Sequence, residues 1–359
     1  MDKNKRGKPQ FSGECRRVKL NEICSKGKSS LRQKDVINDG PYSVYGASGV
    51  IGTTGDYQNE IPYVAVVKDG AGVGRASACE PRTSVLGTMQ ALIPNSNVER
   101  DYLLHLVRSL RLGEGFSGST IPHIYFKDYG KLEVPLPSLE AQKQIASQLG
   151  LVEEQIAQAE AQIEQLDQLV KSRFIEMFGD PNDQRPSTFI EDGFSIRDDL
   201  RKPLSGAERS GMHDGELYPY YGANGVVDYI NSYLTDFDAL CFAEDCGSYG
   251  ARESSTYVIE GRGWVNNHAH LLKPKEDCLL RYADTYFYLS DLNRLISGTT
   301  RAKLTQAQLK QIRFEIPSLD LRRRFTAFYC QVDKLRFKTQ QQIEKLEMLK
   351  ESLMQEYFG

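Results

Sequence analysis

The segment Asp69-Gly70-Ala71-Gly72-Val73-Gly74-Arg75 most invites a chemical reading, because closely spaced glycines let a backbone approach phosphate. Their spacing is G-x-G-x-G, however, and neither the dinucleotide pattern G-x-G-x-x-G nor the P-loop G-x-x-x-x-G-K-[ST] occurs. The spacing therefore predicts a structural turn that presents Arg75. A second segment, Asp245-Cys246-Gly247-Ser248-Tyr249-Gly250, keeps the first Asp and last Gly and is followed by Arg252. Cys241, Cys246, His268 and His270 carry zinc-type donors, and a zinc-dependent hydrolase is the alternative they suggest. C-x4-C with H-x-H is loose spacing, and Ala65, Gly70, Thr88 and Gln90 stand at the corresponding places earlier in the chain, so no metal ligand is assigned. Nucleophilic catalysis finds no G-x-S-x-G elbow, and no catalytic residue is assigned. What these polar side chains suit is hydrogen bonding to base edges, through Thr88-Met89-Gln90 and Asn266-Asn267-His268. Gly118-Ser119-Thr120-Ile121-Pro122-His123 and Gly298-Thr299-Thr300-Arg301-Ala302-Lys303 read both as turns feeding a last strand and as loops facing nucleic acid.

These segments recur because the chain repeats itself. Phe178-Gly179 falls on the terminal Phe358-Gly359, and upstream Pro137-Ser138-Leu139 falls on Pro317-Ser318-Leu319. Four residues of slippage bring Tyr45-Gly46-Ala47-Ser48-Gly49-Val50 onto Tyr221-Gly222-Ala223-Asn224-Gly225-Val226. Each copy is a strand-and-turn region followed by a long amphipathic segment. Tyr63–Val67 and Asp238–Ala243 read as buried strands, and 101–110 and 282–296 as helices. The fold class expected is mixed α/β, with two pseudo-two-fold-related globular domains separated by a long antiparallel two-helix coiled coil. Its boundaries are 1–137 and 180–317 for the domains, the latter opening with a linker at 180–193, and 138–179 and 318–359 for the helices.

The helical seams follow from apolar residues at alternating steps of four and three. The first runs through Ile145, Leu149, Val152, Ile156, Ala159, Ile163, Leu166 and Val170; the second through Phe325, Tyr329, Val332, Leu335, Thr339, Ile343, Leu346, Leu349 and Leu353, with Arg336 interrupting strict heptads. Each helix would span ~60 Å at 1.5 Å per residue. A parallel pair would require the linker to return along that length, and about sixteen extended residues reach at most ~55 Å. An antiparallel pair needs no return.

Seven scattered cysteines predict reduced thiols in a cytoplasmic compartment, and no apolar run approaches a membrane span. Net charge is -3, but counting Lys and Arg against Asp and Glu gives about +5 for 1–137, -4 for 138–179, -6 for 180–317 and +2 for 318–359. Bulk attraction to phosphate would therefore be weak in the second domain, which needs local basic groups or a partner's contacts.

Two α/β domains, each followed by Pro-Ser-Leu and a long helix ending in Phe-Gly, with Leu136-Pro137-Ser138-Leu139-Glu140-Ala141-Gln142-Lys143-Gln144-Ile145 and Ser297-Gly298-Thr299-Thr300-Arg301, resemble the DNA specificity subunit of type I restriction-modification systems over essentially the whole chain. The resemblance implies a non-catalytic reader of a bipartite double-stranded DNA target, with one half-site per domain. It also implies helices that separate the half-sites and dock two methyltransferase subunits, which bring S-adenosylmethionine, together with endonuclease/translocase subunits. The alternatives are the zinc hydrolase and a coiled-coil scaffold that never touches DNA. Tyr45, Ser48, Arg75, Thr88, Gln90, Ser119, Thr120 and His123 would address one half-site; Tyr221, Asn224, Arg252, Asn266, Asn267, His268, Thr300, Arg301 and Lys303 the other. His123 departs from the basic residue usual after the Gly-Ser/Thr loop, and Arg322-Arg323-Arg324 stands where the first helix has Gln142-Lys143-Gln144.

Overall fold

The computed structural model describes residues 15–114, 122–183, 186, 188–245, 248–296 and 302–359. The chain divides into two compact units, one comprising residues up to Glu160 with Gln341–Gly359 and the other Ala161–Gln340. Each unit holds one globular α/β domain and a stretch of both long helices.

In the first unit a four-stranded antiparallel sheet has the order Cys24–Lys26, Met89–Pro94, Tyr63–Val67, Ala76–Cys79. All five residues of Tyr63–Val67 are buried, so this strand is covered on both faces. Val64 and Val66 join Leu92, Tyr102, Leu103 and Leu106 on the side of helix Arg100–Ser109. Tyr63, Ala65 and Val67 meet Val85 and Met89 on the other side, where a smaller sheet packs, of order Gly49–Thr54, Tyr42–Gly46, Ser84–Val85. A strand with no polar face must sit between two layers, and the run of β-branched residues specifies that position.

The second unit repeats the plan of these two sheets, with one further strand in the smaller. Its main sheet has the order Phe194–Ile196, Ala269–Pro274, Ala239–Ala243, Thr256–Ile259, and its smaller sheet Gly225–Ile230, Tyr218–Gly222, Arg262–Val265, Thr235–Asp236. Even irregularities repeat: both hairpins shift register at the same place, after Val44 and after Tyr220. Both turn through two residues, Ala47-Ser48 and Ala223-Asn224, into a glycine with positive φ, Gly49 at 105° and Gly225 at 112°. The hydroxyls of Tyr102 and Tyr282 donate to Pro135 O and Glu315 O, both at 2.8 Å, fastening each domain helix to the segment that leads into the long helix.

The long helices are Leu139–Phe178 and Leu319–Phe358, 40 residues each, and Ser138 Oγ accepts from Ala141 N at 3.3 Å as the first helix starts. In the first unit Glu153 pairs with Lys350 at 2.6 Å and Gln148 with Tyr357; in the second, Asp167 pairs with Arg336 and the Arg173 guanidinium lies 6.0 Å over the Phe328 ring. In each unit partner numbers fall as helix numbers rise, so the helices run antiparallel. Ile145, Leu149, Val152, Leu166, Phe325, Val332 and Ile343 are buried, Ile156, Ile163, Leu346 and Leu353 half-buried.

The structure departs from the sequence reading in three places. Leu349 and Leu335 are 46% and 49% exposed, and the seam passes instead through their neighbours Lys350 and Arg336, because each of these meets a carboxylate on the facing helix. The helix expected over 282–296 spans Leu280–Leu289: Ser290 turns to extended backbone and its Oγ donates to Tyr286 O at 2.7 Å. Residues 188–193, assigned to the linker, belong to the domain, since Ile190 is fully buried and Phe189 bridges to Arg313.

Candidate nucleic-acid interface

In the first domain three separate segments converge beside the strand end at Val67. Lys68 N donates to Thr88 O (3.0 Å), Ile124 N to Lys68 O (3.0 Å) and Gly70 N to Pro122 O (3.1 Å). The Asp69 carboxylate meets His123 Nδ1 at 2.7 Å. Leu86 N donates to Tyr45 O (3.0 Å), bringing the hairpin alongside. Arg75 is exposed at the edge, its Nε donating to Gly72 O at 3.4 Å. Gly70, Gly72 and Gly74 have φ of 88°, 85° and 84°. A Cβ on Gly72 would lie 2.1 Å from the Arg75 guanidinium, so the glycines serve backbone conformation and the seating of Arg75.

The second domain forms the same backbone bonds between corresponding residues. Glu244 N donates to His268 O (2.8 Å), Leu304 N to Glu244 O (2.7 Å) and Asn266 N to Tyr221 O (3.0 Å). Asp69 bridges His123 in one copy as Asp245 bridges Lys303 in the other. One scaffold thus carries two sets of side chains: Lys68, Thr88 and His123 against Glu244, His268 and Lys303.

Ser48, Thr88, Asn224, Arg252, Asn267 and Lys303 are exposed, and Tyr45, His123 and His268 half-buried, all on this surface or its adjoining hairpin and turn. Three expected contact residues lie inside. Gln90, 9% exposed, sits on the buried strand with Nε2 donating to Ala91 O at 2.9 Å; Asn266, 8% exposed, turns its Oδ1 back to accept from His268 N at 2.7 Å; and Tyr221, 9% exposed, stacks on Tyr257 with centroids 5.9 Å apart. Ser119, Thr120, Thr300 and Arg301 lie outside the described residues.

Sequence reasoning missed an ionic network beneath the second surface. Asp198 accepts from His270 Nδ1 (2.7 Å), Gln306 Nε2 (2.8 Å) and Leu271 N (3.1 Å), and pairs with Arg201 at 3.1 Å. His270, 1% exposed, also donates through Nε2 to Leu304 O at 2.8 Å. Glu244 receives Arg201 at 2.7 Å and Lys303 at 3.2 Å. Burial pushes the Asp198 and Glu244 carboxyls up, but the bonds from His270 and from Arg201 and Lys303 outweigh it and hold both below the usual carboxylate range. These pairs supply counter-charges to two inward-facing carboxylates where the first domain has Lys68 and Gln90. The repeat register, which sets Lys68 against Glu244, is the signal that could have found it.

The zinc alternative is not supported by this geometry. Cys241 pairs with Leu271 and Phe242 with His270, so Cys241 and His270 project from opposite faces of the sheet. No cluster of three or more metal-ligating side chains occurs among the described residues, nor any helix long and apolar enough to cross a membrane.

Comparison with known proteins places this architecture. The type I restriction modification DNA specificity domain matches residues 14–168 and 209–348, more than half of the chain. A putative type I restriction enzyme specificity subunit from Haemophilus influenzae is 34% identical over 134 residues, which are 37% of this chain and 33% of that protein. That match spans about a third of the relative's length. The crystal structure of a type I restriction-modification S subunit from M. genitalium superposes with a TM-score of 0.66 at 16% identity, covering 98% of this chain and 99% of that one. A structure described as the basis of complex assembly and conformational transition of the type I R-M system gives 0.52 at 16% identity, covering 96% and 97%. At these identities the superpositions establish the fold, and the match over both halves establishes the kinship: the chain belongs to the type I restriction-modification DNA specificity family.

Proposed function

We propose that this chain is the sequence-reading subunit of a type I restriction-modification complex. Each domain addresses one half of a bipartite double-stranded DNA target, without catalytic residues of its own. Catalysis then belongs to partners: two methyltransferase subunits carrying S-adenosylmethionine, and endonuclease/translocase subunits. The long helices would separate the half-sites and offer the docking surface. The observation that carries the reading is the repeated backbone scaffold with unlike side chains, Lys68, Thr88 and His123 at one surface and Glu244, His268 and Lys303 at the other. A constant frame with exchanged donors and acceptors is what reading two different base sequences requires. Exposed Arg75 stands beside the first surface, suited to phosphate or guanine, while Arg252, also exposed, donates its backbone N to Tyr288 O at the end of helix Leu280–Leu289.

Methylation sequencing of cells with and without this gene tests the proposal. A split adenine-methylated motif that disappears with the gene is the expected result. Its persistence, or failure of the reconstituted complex to shift duplexes bearing that motif, would favour a scaffold that does not touch DNA.

A further inference from the structure

Gln142 and Arg322 occupy the same place in the two copies, one turn into each long helix, and each is a polar side chain almost wholly inside the protein, 1% and 3% exposed. Burying such groups is costly unless every donor finds an acceptor. Gln142 Nε2 donates to Pro137 O at 3.0 Å and Asn97 O at 3.1 Å, and its Oε1 accepts from Glu99 N at 2.9 Å. Glu99 is itself the N-cap of helix Arg100–Ser109, its carboxylate accepting from Tyr102 N at 2.6 Å. One amide therefore joins the entry to the long helix, the turn after the last sheet strand and the start of the domain helix.

Arg322 makes the same junction with different chemistry. Its Nε donates to Pro317 O at 3.0 Å and its Nη1 to Asp277 O at 2.9 Å, the carbonyls equivalent to those that Gln142 holds. A guanidinium has no acceptor to offer the next helix, and its Nη2 donates to the Glu276 carboxylate. The two copies have diverged at most surface positions, yet both keep a buried fork on the same pair of carbonyls.

We propose that Gln142 and Arg322 are positioning residues that fix the angle at which each globular domain stands on its own long helix, and that this clamp makes the complex selective for a single half-site spacing. The inference rests on the DNA-reading function proposed above. Ile145, Ala146 and Leu149 already pack the first long helix into the core of its domain, as Phe325 and Val332 do in the second, but apolar contacts have no preferred direction. Three hydrogen bonds converging on one buried side chain remove the rocking freedom of that joint, and a site displaced by about 1 Å already reduces transfer by ~100-fold.

The test uses the full chain with its methyltransferase subunits on duplexes carrying the native spacer or one base pair more or less. Wild type is expected to methylate the native spacer ~100-fold faster than either neighbour. Gln142→Met and Arg322→Met, which keep bulk and lose the fork, are expected to narrow that ratio to about tenfold with base preference in each half-site unaltered. Arg322→Gln, the residue the other copy uses, is expected to retain the ratio. Folded methionine variants with wild-type spacer discrimination would overturn the proposal. If they do not fold, Gln142→Asn decides, because it keeps a neutral amide but is one methylene too short to reach Pro137 O, Asn97 O and Glu99 N together; unaltered discrimination there overturns the clamp equally. A wild-type complex that methylates no split motif counts against the DNA-reading proposal alone. The clamp is then read by hydrogen exchange at Glu99 N, expected to rise roughly tenfold in Gln142→Met and not in Arg322→Met, and overturned if it does not.

Discussion

Replacing Asp198 with Asn isolates what the buried ionic network contributes. The carboxylate is 9% exposed and takes two hydrogen bonds from side chains, one from Leu271 N and the Arg201 pair, while His270 and Arg201 are 1% and 14% exposed. An amide of the same shape keeps one acceptor, must turn an NH2 toward a donor and leaves Arg201 with Glu244 for its counter-charge. Breaking a pair of this kind costs about 3–5 kcal/mol. For a domain of this size that corresponds to a melting point lower by ~6–20 °C, at roughly 2–4 °C per kcal/mol. Because His270 also holds Leu304 O, the damage should reach the segment that carries Lys303. Calorimetry measures the loss, and hydrogen exchange resolves strand Ala269–Pro274 from its counterpart Met89–Pro94. In the reconstituted complex the second half of the methylated motif should relax while the first stays strict. The pH dependence has a definite sign. Asp198 and Glu244 titrate below their ordinary range when folded, so their stabilisation is present in full above the unfolded values, about 4, and is lost as pH falls through the folded ones. The gap between wild type and Asp198→Asn should be widest near neutrality and close below about pH 4. A loss under ~1 kcal/mol at pH 7, or equal loosening of both strands, would refute the reasoning.

Ile343→Asp places a charge in a seam position that is 5% exposed and should cost about 2–4 kcal/mol, whereas Leu349→Asp at 46% exposure should change stability by less than ~0.5 kcal/mol, both read by thermal melting. Phe174→Ala empties a fully buried position ringed by Phe178, Tyr282 and Phe325 at centroid distances of 4.9, 5.3 and 5.4 Å, an expected loss of about 3–5 kcal/mol measured by denaturant titration. His123→Ala removes a half-buried partner of Asp69 and should leave stability within ~1 kcal/mol. It should also relax the first half-site by about 1–3 kcal/mol for each base that His123 reads, measured from methylation rates on mismatched duplexes.

What the sequence disclosed is what local pattern and repetition encode. The central strands and both long helices follow from spacing within a few residues, and the repeat alone sets Tyr45 opposite Tyr221 and Asp69 opposite Asp245. The network around Asp198 could not be seen that way. Its partners lie 72 and 108 positions along the chain, and nothing in local composition distinguishes a carboxylate that will meet a buried histidine from one on the surface. The burial of Gln90 and Asn266 was illegible for a related reason: an amide that suits adenine also suits a neighbouring carbonyl or its own turn.

The long helices show how the same ambiguity bears on function. Apolar periodicity chose Leu335 and Leu349, yet the observed seam steps through Val332, Arg336, Thr339, Ile343, Leu346, Lys350 and Leu353, an unbroken alternation of four and three. The geometric period won over hydrophobicity at two positions, each where a carboxylate waits on the facing helix, Asp167 for Arg336 and Glu153 for Lys350. Partly exposed pairs of this kind add little stability. Their effect is on register, since sliding either helix by one heptad would separate both pairs, leaving Asp167 and Glu153 each facing an uncharged residue and one of the two cations facing an apolar one, Ala146 or Phe174. An all-apolar seam tolerates such slips. If the helices are to set a half-site spacing, a seam that admits one register, together with the buried forks at Gln142 and Arg322 that hold each domain to its helix, is the arrangement that length alone would not supply.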